Sequence, residues 1–221
     1  MFLNHTIITF PSIPLLTRDA HKLRGYFGNL FKEKSPLLHN HFEDGSARYA
    51  YPLVQYKVIN KVPMLVGLNE GAELMTELFL KIREIVVDGT DYPVLSKNIT
   101  QRSFDLSNFK DLHDYRFETL WMALNQKNFE SFMRSNAEVR DEILKNILTG
   151  NMISFYKGIN FTVEEKILNR IQVSEHQTNF KNISMLAFKG NFTTNAPLPD
   201  YIGLGKAVSR GFGTIINFTT L

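Results

Sequence analysis

Residues 48–68, with the sequence RYAYPLVQYKVINKVPMLVGL, predict two β-strands that are joined by a tight turn. In the first strand, Arg48 to Ile59, apolar side chains alternate on one face: Ala50, Val54, Tyr56, Val58. A period of two residues is typical of a strand that buries one face. Asn60-Lys61 supplies the turn, and Val62 to Leu68 forms the returning strand. The rest of the first half is arranged around this hairpin.

A strand and a helix are predicted on each side of the hairpin. On the N-terminal side, Phe2 to Phe10 is strand-like, and Thr17 caps a helix whose apolar residues recur at helical spacing: Ala20, Leu23, Phe27, Leu30, Phe31. On the C-terminal side, Asn69 caps a second helix with one apolar stripe: Leu74, Leu78, Ile82, Ile85. Val94 to Phe104 is again strand-like. The order β-α-β-β-α-β is that of a ferredoxin-like unit.

A polar stretch, Asp105 to Asp114, separates this unit from a second half of similar order. Arg116 to Leu124 predicts a strand that contains the single tryptophan, Trp121, which we expect in the core. Two helical patterns and three strands are predicted after it, at Phe129–Met133, Val139–Leu148, Ile167–Val173, Ser184–Phe192, Thr214–Phe218. We therefore predict an α+β protein of two tandem ferredoxin-like (RRM-like) domains, residues 1–108 and 109–221.

The composition limits the compartment and the partner. The 221 residues are 43% apolar, but no stretch approaches the ~20 apolar residues of a membrane span, so we expect no membrane contact. The absence of cysteine excludes disulfides, thiolate zinc sites and cysteine nucleophiles, and it fits a reducing cytoplasm. Thr17–His41 carries five Lys or Arg against two acids, and His176–Leu221 carries four against one. Two segments of +3 each favour a polyanionic partner.

A glycine-rich stretch, GLGKAVSRGFG, occupies residues 203–213. Its glycines form two Gly-apolar-Gly pairs: Gly203, Gly205, Gly211, Gly213. Lys206 and Arg210 lie between the pairs. A loop that combines glycines, which have no Cβ, with basic side chains suits a phosphate-bearing ligand. The stretch comes too late in the chain for a dinucleotide fingerprint, and Ala207 after Lys206 does not fit a Walker loop. A glycine-rich turn between strands is the structural alternative.

Two histidines, His39 and His41, flank Asn40 in the polar loop after the first predicted helix. In an extended loop, residues i and i+2 share a face, so both imidazoles can act on one target. Three interpretations are open: a solvated polar loop, metal ligation with Glu43 and Asp44, and acid–base chemistry on RNA. The third needs no metal, because the ribose 2′-hydroxyl is a nucleophile within the substrate.

Together these features resemble the CRISPR-associated endoribonucleases that process precursor CRISPR RNA, which form the Cas-six family of the RAMP superfamily. The shared features are two ferredoxin-like units, a histidine loop after the first helix and a terminal glycine motif. Residues 203–213 match that motif without departure, and Leu38-His39-Asn40-His41 resembles the branch from type I-B systems. The resemblance covers essentially the whole chain.

The resemblance implies a metal-independent endoribonuclease, without a cofactor, that cleaves CRISPR repeat RNA. Attack by the 2′-hydroxyl on the adjacent phosphate would leave a 2′,3′-cyclic phosphate and a 5′-hydroxyl. On this basis His41 has the principal acid–base role and His39 is its partner. Lys32 would stabilise the additional negative charge, and Tyr49 would position a phosphate. The expected RNA-binding residues are Gly203, Gly205, Lys206, Ser209, Arg210, Gly211, Gly213.

Two alternatives keep the fold but change the function. A non-catalytic RNA-binding subunit of a CRISPR effector complex would have the glycine loop and would not need the histidine pair. A ferredoxin-like regulatory module that binds a small anion would show no tight, steeply salt-dependent RNA binding. The expected partner is CRISPR repeat RNA. Membership of an effector complex, and a monomer or a homodimer as the assembly, are left open.

Overall fold

A computed structural model describes residues 1–30, 51–180 and 183–218. In this part the α-helices are α1 (Ala20–Leu30), α2 (Glu70–Phe79), α3 (Gln126–Arg134) and α4 (Ala137–Gly158). The strands are β1 (Phe2–Thr9), β2 (Val54–Ile59), β3 (Val62–Leu68), β4 (Glu84–Val87), β5 (Thr90–Pro93), β6 (Asn98–Asp105), β7 (His113–Phe117), β8 (Asn169–Phe180), β9 (Ile183–Thr194) and β10 (Ile215–Asn217). Short 3₁₀ turns cover Thr17–Asp19 and Val208–Arg210.

The first sheet has the strand order β2-β3-β1-β6 and is antiparallel throughout. β1 is central, since Ile7 pairs with Val66 of β3 on one side and with Thr100 of β6 on the other. The hairpin turns at Asn60-Lys61, as predicted. Both residues have positive φ, 50° and 66°, which a two-residue hairpin turn of type I′ requires. With α1 and α2, these strands form the predicted ferredoxin-like unit.

The second sheet has the order β10-β7-β9-β8, which repeats the order of the first sheet. The first crossover, between β7 and β8, contains α3 and α4. The second crossover, residues 195–214, contains the 3₁₀ turn Val208–Arg210 in place of an α-helix. The predicted α+β class with two ferredoxin-like domains is thus confirmed, and the boundary at residue 108 stays a prediction.

The first sheet is covered on both faces. One face packs on α1 and α2, where Phe27 and Met75 are buried. The opposite face packs on the second domain, so that Leu3 and Leu68 belong to the same core as Trp121. Trp121 has no exposed surface, which confirms its predicted place in the core. The two domains therefore share an apolar core.

A β-hairpin replaces part of the predicted second helix. α2 ends at Phe79, and Ile82 and Ile85, predicted on its apolar stripe, lie beyond it, with Ile85 in β4. β4 and β5 turn at Asp88-Gly89, where φ is 51° and 74°. Asp-Gly is a strong signal for a type I′ hairpin, and here it ends the helical periodicity.

Three other predicted features differ in detail. Thr17 does not cap α1 but lies in a 3₁₀ turn, in which the Asp19 carboxylate accepts a hydrogen bond from the Leu16 amide at 3.0 Å. Asn69 does precede α2, but its side chain accepts from the Asn4 amide at 3.2 Å instead of capping the helix. The strand predicted over Arg116 to Leu124 begins earlier and ends at Phe117.

Candidate functional site

The glycine loop, residues 203–213, is closed on itself and lies against β2 and α1 of the first domain. The Leu204 amide donates to the Gly213 carbonyl at 2.9 Å, and the Gly213 amide donates to the Leu120 carbonyl at 2.9 Å. The Lys206 amide donates to the Met122 carbonyl at 3.1 Å. These bonds join the loop to the segment after β7 and fix its position between the domains.

The glycines of this loop are required by its close packing. At Gly205 (φ 92°) a Cβ would lie 2.7 Å from Trp121 Nε1, and at Gly211 (φ 90°) it would lie 2.9 Å from Ala20 Cβ. At Gly213 (φ 63°) a Cβ would overlap the Leu204 carbonyl oxygen. Three of these backbones adopt the left-handed region, where a side chain is strained. Gly203, Gly211 and Gly213 are also buried.

The polar side chains of the loop that reach solvent come from the five residues between the glycine pairs. Lys206 is exposed, and Ser209 and Arg210 are half-buried. Partial desolvation by the neighbouring protein surface lowers the pKa of Lys206, while the rest of its side chain reaches solvent. The pKa of the half-buried Arg24 guanidinium on α1 is lowered by burial and then by the positive charge of Arg210. Cationic groups from both domains are therefore held close together at this loop.

A polar network joins the loop to the first domain at Gly203. The Tyr51 hydroxyl donates to the Gly203 carbonyl at 2.7 Å. The Gly203 amide donates to Gln55 Oε1 at 2.9 Å, and Gln55 Nε2 donates to the Tyr51 hydroxyl at 3.0 Å. The N–H and the C=O of Gly203 are therefore both hydrogen-bonded. The Gln55 side chain that takes part in this network is fully buried.

Lys57 of β2 forms a second link to the loop. Its Nζ donates to Thr214 Oγ1 at 3.1 Å, and Thr214 Oγ1 donates to the Gly211 carbonyl at 3.1 Å. The Thr119 hydroxyl donates to the same carbonyl at 2.6 Å. Lys57 is fully buried, and burial lowers its pKa to about 7. This ammonium group therefore loses much of its charge near neutral pH.

The neighbouring His5 is buried on the same side of the first sheet. Its Nε2 has no hydrogen-bond partner among the described residues. Burial, followed by the charges of Arg102 and Lys57, lowers the pKa of His5 to about 4. Burial therefore destabilises the charged forms of both Lys57 and His5.

The buried Lys57 should make stability depend on pH. Its pKa rises from about 7 in the folded chain to its ordinary 10.5 on unfolding, so the unfolded chain binds more protons between these values. The free energy of unfolding is therefore expected to rise with pH above 7, by up to about 1.4 kcal/mol per pH unit from this group. The measurement is urea unfolding at several pH values from about 7 to 9, for the wild type and Lys57→Met.

Lys57→Met keeps a long apolar stem and removes the titrating group. The variant should be more stable relative to the wild type at pH 7 than at pH 9, because the cost of the buried charge disappears as the wild type deprotonates. Parallel pH profiles for the two proteins would show that Lys57 titrates normally.

The predicted catalytic residues lie outside the described residues: Lys32, His39, His41, Tyr49. The residues on either side of this segment are described. Leu30 ends α1, which packs on the 3₁₀ turn of the glycine loop, and Tyr51 binds Gly203. Residues 31–50, called the histidine segment below, are therefore flanked in sequence by α1 and Tyr51, both of which contact the glycine loop.

The described residues contain no cluster of three His, Asp or Glu side chains that could hold a metal ion. Within the same part of the chain, no helix is both long and apolar enough to cross a membrane.

Both halves of the chain match family models. Residues 1–105 match the Cas6b N-terminal domain, and residues 108–218 match the Cas6b C-terminal domain. The chain belongs to the Cas6b family. The predicted resemblance to the Cas-six family is thereby confirmed.

Solved structures extend the similarity of this Cas6b-family chain over its whole length. A crystal structure of Cas6b is 34% identical with a TM-score of 0.93, covering 99% of this chain and 100% of that one. A crystal structure of the CRISPR RNA processing endoribonuclease Cas6b is 32% identical with a TM-score of 0.79, at the same coverage. The uncharacterized protein MJ0978 of Methanocaldococcus jannaschii is 32% identical over 143 residues, which are 64% of this chain and 97% of that protein.

Proposed function

We propose that this protein is an endoribonuclease that cleaves CRISPR repeat RNA during the processing of precursor CRISPR RNA. A relative at 32% identity over nearly the full chain is a CRISPR RNA processing endoribonuclease, which supports the reaction class. The observation that carries the proposal is the contact of the glycine loop with Tyr51 and α1, which border the histidine segment. An RNA held at the loop would lie near Tyr51 and α1, which flank that segment in sequence.

The proposed chemistry needs no metal. One histidine removes the proton of the 2′-hydroxyl, and the 2′-oxygen attacks the adjacent phosphorus. The bond to the 5′-oxygen breaks, and that oxygen takes a proton from an acid. The products are a 2′,3′-cyclic phosphate and a 5′-hydroxyl. We assign the principal acid–base role to His41 with His39 as its partner, charge stabilisation to Lys32 and phosphate positioning to Tyr49.

The glycine loop is the proposed RNA-binding element. Lys206, Ser209 and Arg210 extend from it and would bind phosphates. The role that we assign to the glycines follows from their packing, since they allow the loop to fold tightly between the domains: Gly203, Gly205, Gly211, Gly213. The glycines would determine the conformation of the loop, and the residues between them would supply its positive charge.

Cleavage in excess EDTA tests the reaction. The purified protein is mixed with a labelled repeat RNA, beside the same RNA with a 2′-deoxy residue at the cut site. The all-ribose RNA is expected to be cleaved in EDTA and the 2′-deoxy RNA to stay intact, because it lacks the nucleophile. The 3′ end of the upstream product should be a cyclic phosphate by mass spectrometry.

Two other results would contradict part of the proposal. Cleavage of the all-ribose RNA that stops in EDTA and returns with added Mg²⁺ would contradict the metal-independent mechanism. Tight, salt-sensitive binding without cleavage under any condition would identify the RNA-binding subunit of an effector complex instead.

A further inference from the structure

Lys57 is a buried lysine in the contact between β2 and the glycine loop. Its side chain has no exposed surface, and its Nζ donates to the Thr214 hydroxyl at 3.1 Å. Among the described residues no carboxylate forms an ion pair with this ammonium group, and burial is the cause of its lowered pKa. A buried cation without a counter-ion destabilises a fold, whereas an apolar residue of similar length would not. Packing alone therefore does not account for a lysine at this position.

The charge of Lys57 determines the direction of the hydrogen bonds around it. An ammonium group has three donors and no lone pair, so it can only donate to Thr214 Oγ1. The single proton of that hydroxyl is then left for the Gly211 carbonyl oxygen, which lies 3.1 Å away. A neutral amine has a lone pair and can accept the same proton instead, which would remove it from Gly211. Protonation of Lys57 is therefore linked to the hydrogen bonding of Gly211.

Gly211 ends the 3₁₀ turn Val208–Arg210, whose last two residues are proposed phosphate ligands. Its amide closes the turn by donating to the Val208 carbonyl at 3.2 Å. Its own carbonyl accepts from the hydroxyls of Thr119 and Thr214, at 2.6 and 3.1 Å. Both lone pairs of this carbonyl are thereby occupied, which fixes the orientation of the backbone at the end of the turn.

We infer that Lys57 is a positioning residue for RNA binding. Its ammonium group acts through the Thr214 hydroxyl on the Gly211 carbonyl, and it thereby holds the turn in the conformation that binds phosphates. The inference rests on the proposed function, which assigns RNA binding to this loop. Because Lys57 is buried, its effect reaches the RNA only through the loop. RNA should then bind more tightly when Lys57 is charged, and by reciprocity binding should favour the protonated side chain.

Of the groups packed around this network, Lys57 is the one that we expect to change its charge between pH 7 and 8.5. On the same face of the first sheet, His5 stays neutral in this range because its pKa is about 4. Three arginines on the surrounding elements stay charged, because an arginine is not deprotonated in proteins: Arg24, Arg102, Arg210. The neighbouring tyrosines stay neutral, since burial raises their pKa: Tyr51, Tyr56.

The test is the affinity of the full-length chain for repeat RNA that carries a 2′-deoxy residue at the cut site, measured from pH 7 to 8.5. Wild-type affinity is expected to fall by about three- to tenfold over this range, which is the effect of losing one hydrogen bond. Lys57→Met should bind with the weaker affinity throughout and show a flatter profile. An ordinary histidine titrates below this range, and Lys206 is common to both proteins.

Stability should move in the opposite direction to affinity. The free energy of unfolding of the wild type is expected to rise over the same pH range, because the neutral side chain of Lys57 is easier to bury. If Lys57 only stabilised the fold, RNA affinity would rise with stability or stay constant. Falling affinity with rising stability therefore distinguishes a positioning role from a structural one. Urea unfolding of the same samples at each pH supplies the second profile.

Two further variants locate the effect. Thr214→Val keeps the shape of the side chain and removes the hydroxyl between Lys57 and Gly211, so it should also flatten the pH profile of affinity. Adding Lys57→Met to Thr214→Val should cause no further loss, since both changes interrupt the same path. Lys61→Met removes an exposed lysine in the turn of the same hairpin and should keep the wild-type profile.

The outcomes distinguish this inference from the proposed function. Wild-type protein that binds RNA with the same pH dependence as Lys57→Met would overturn the role of Lys57 and leave the endoribonuclease intact. Wild-type protein that binds no repeat RNA at any pH would overturn both. A loss of affinity above pH 7 that Lys57→Met and Thr214→Val abolish, and that Lys61→Met retains, would establish the role of Lys57.

Discussion

His41→Ala is expected to slow cleavage of the repeat RNA by about 10²–10⁴-fold, because a positioned acid–base group accelerates proton transfer by this factor. His39→Ala should also slow it, since one group must accept the 2′-hydroxyl proton and another must supply the proton of the leaving 5′-oxygen. The measurement is the single-turnover rate at saturating protein, with the affinity for 2′-deoxy RNA measured in parallel. Affinity should change little, because the loss lies in the chemical step.

His176→Ala is the matched control for the histidine variants. His176 is exposed on β8, and its Nε2 lies 3.0 Å from the Ser174 hydroxyl. Its replacement should leave the cleavage rate unchanged. If His39→Ala and His41→Ala each cleaved at the wild-type rate, the acid–base assignment would be wrong and the catalytic groups would lie elsewhere in the chain.

Gly213→Ala is expected to destabilise the protein by about 3 kcal/mol or more. The φ of 63° places this backbone in the left-handed region, and a Cβ there would overlap the Leu204 carbonyl oxygen. The left-handed conformation costs about 1–2 kcal/mol, and the overlap must then be relieved by moving backbone. That movement breaks the bond between the Leu204 amide and the Gly213 carbonyl. Urea unfolding at neutral pH measures the loss.

Gly150→Ala provides the control in the same domain. Gly150 lies in α4, and apart from the adjacent residues and the backbone of its own helix no atom lies within 4 Å of the position that its Cβ would take. Alanine should stabilise the helix there by about 0.5–1 kcal/mol. The prediction for Gly213 fails if its alanine variant unfolds at the same urea concentration as the wild type.

The first domain could be predicted from the sequence because its signals are local. Asn60-Lys61 between two predicted strands, the first of which has a period of two, defines the hairpin, and it is found where predicted. The β4–β5 hairpin was missed although Asp88-Gly89 carries the turn signal, because apolar residues continued the helical spacing to Ile85. A short-range turn preference there outweighs the periodicity.

Burial between the domains could not be predicted in this way. Gln55 and Lys57 alternate with apolar residues of β2, and this pattern indicates a solvent-facing side. Both are fully buried, because the second domain covers that face. The partners that make this burial possible are Gly203 and Thr214, which lie about 150 residues further along the chain. Such partners produce no periodic signal.

The candidate site was predicted in part. The glycine motif marked the loop because its spacing is distinctive, whereas the close packing that requires those glycines appears only in three dimensions. The histidine pair, His39 and His41, stays a prediction.

The second crossover of the second domain has a consequence for how the chain can be divided. A helix at this position would keep its conformation through its own backbone hydrogen bonds. The loop that replaces it instead depends on Tyr51, Gln55 and Lys57 of the other half. A fragment containing the second domain alone would therefore lack the groups that define the loop, and it would expose apolar side chains that now contact Leu3 and Leu68. We therefore expect the two domains to unfold as one cooperative unit, and we expect the glycine loop to lose its conformation when it is separated from the N-terminal half.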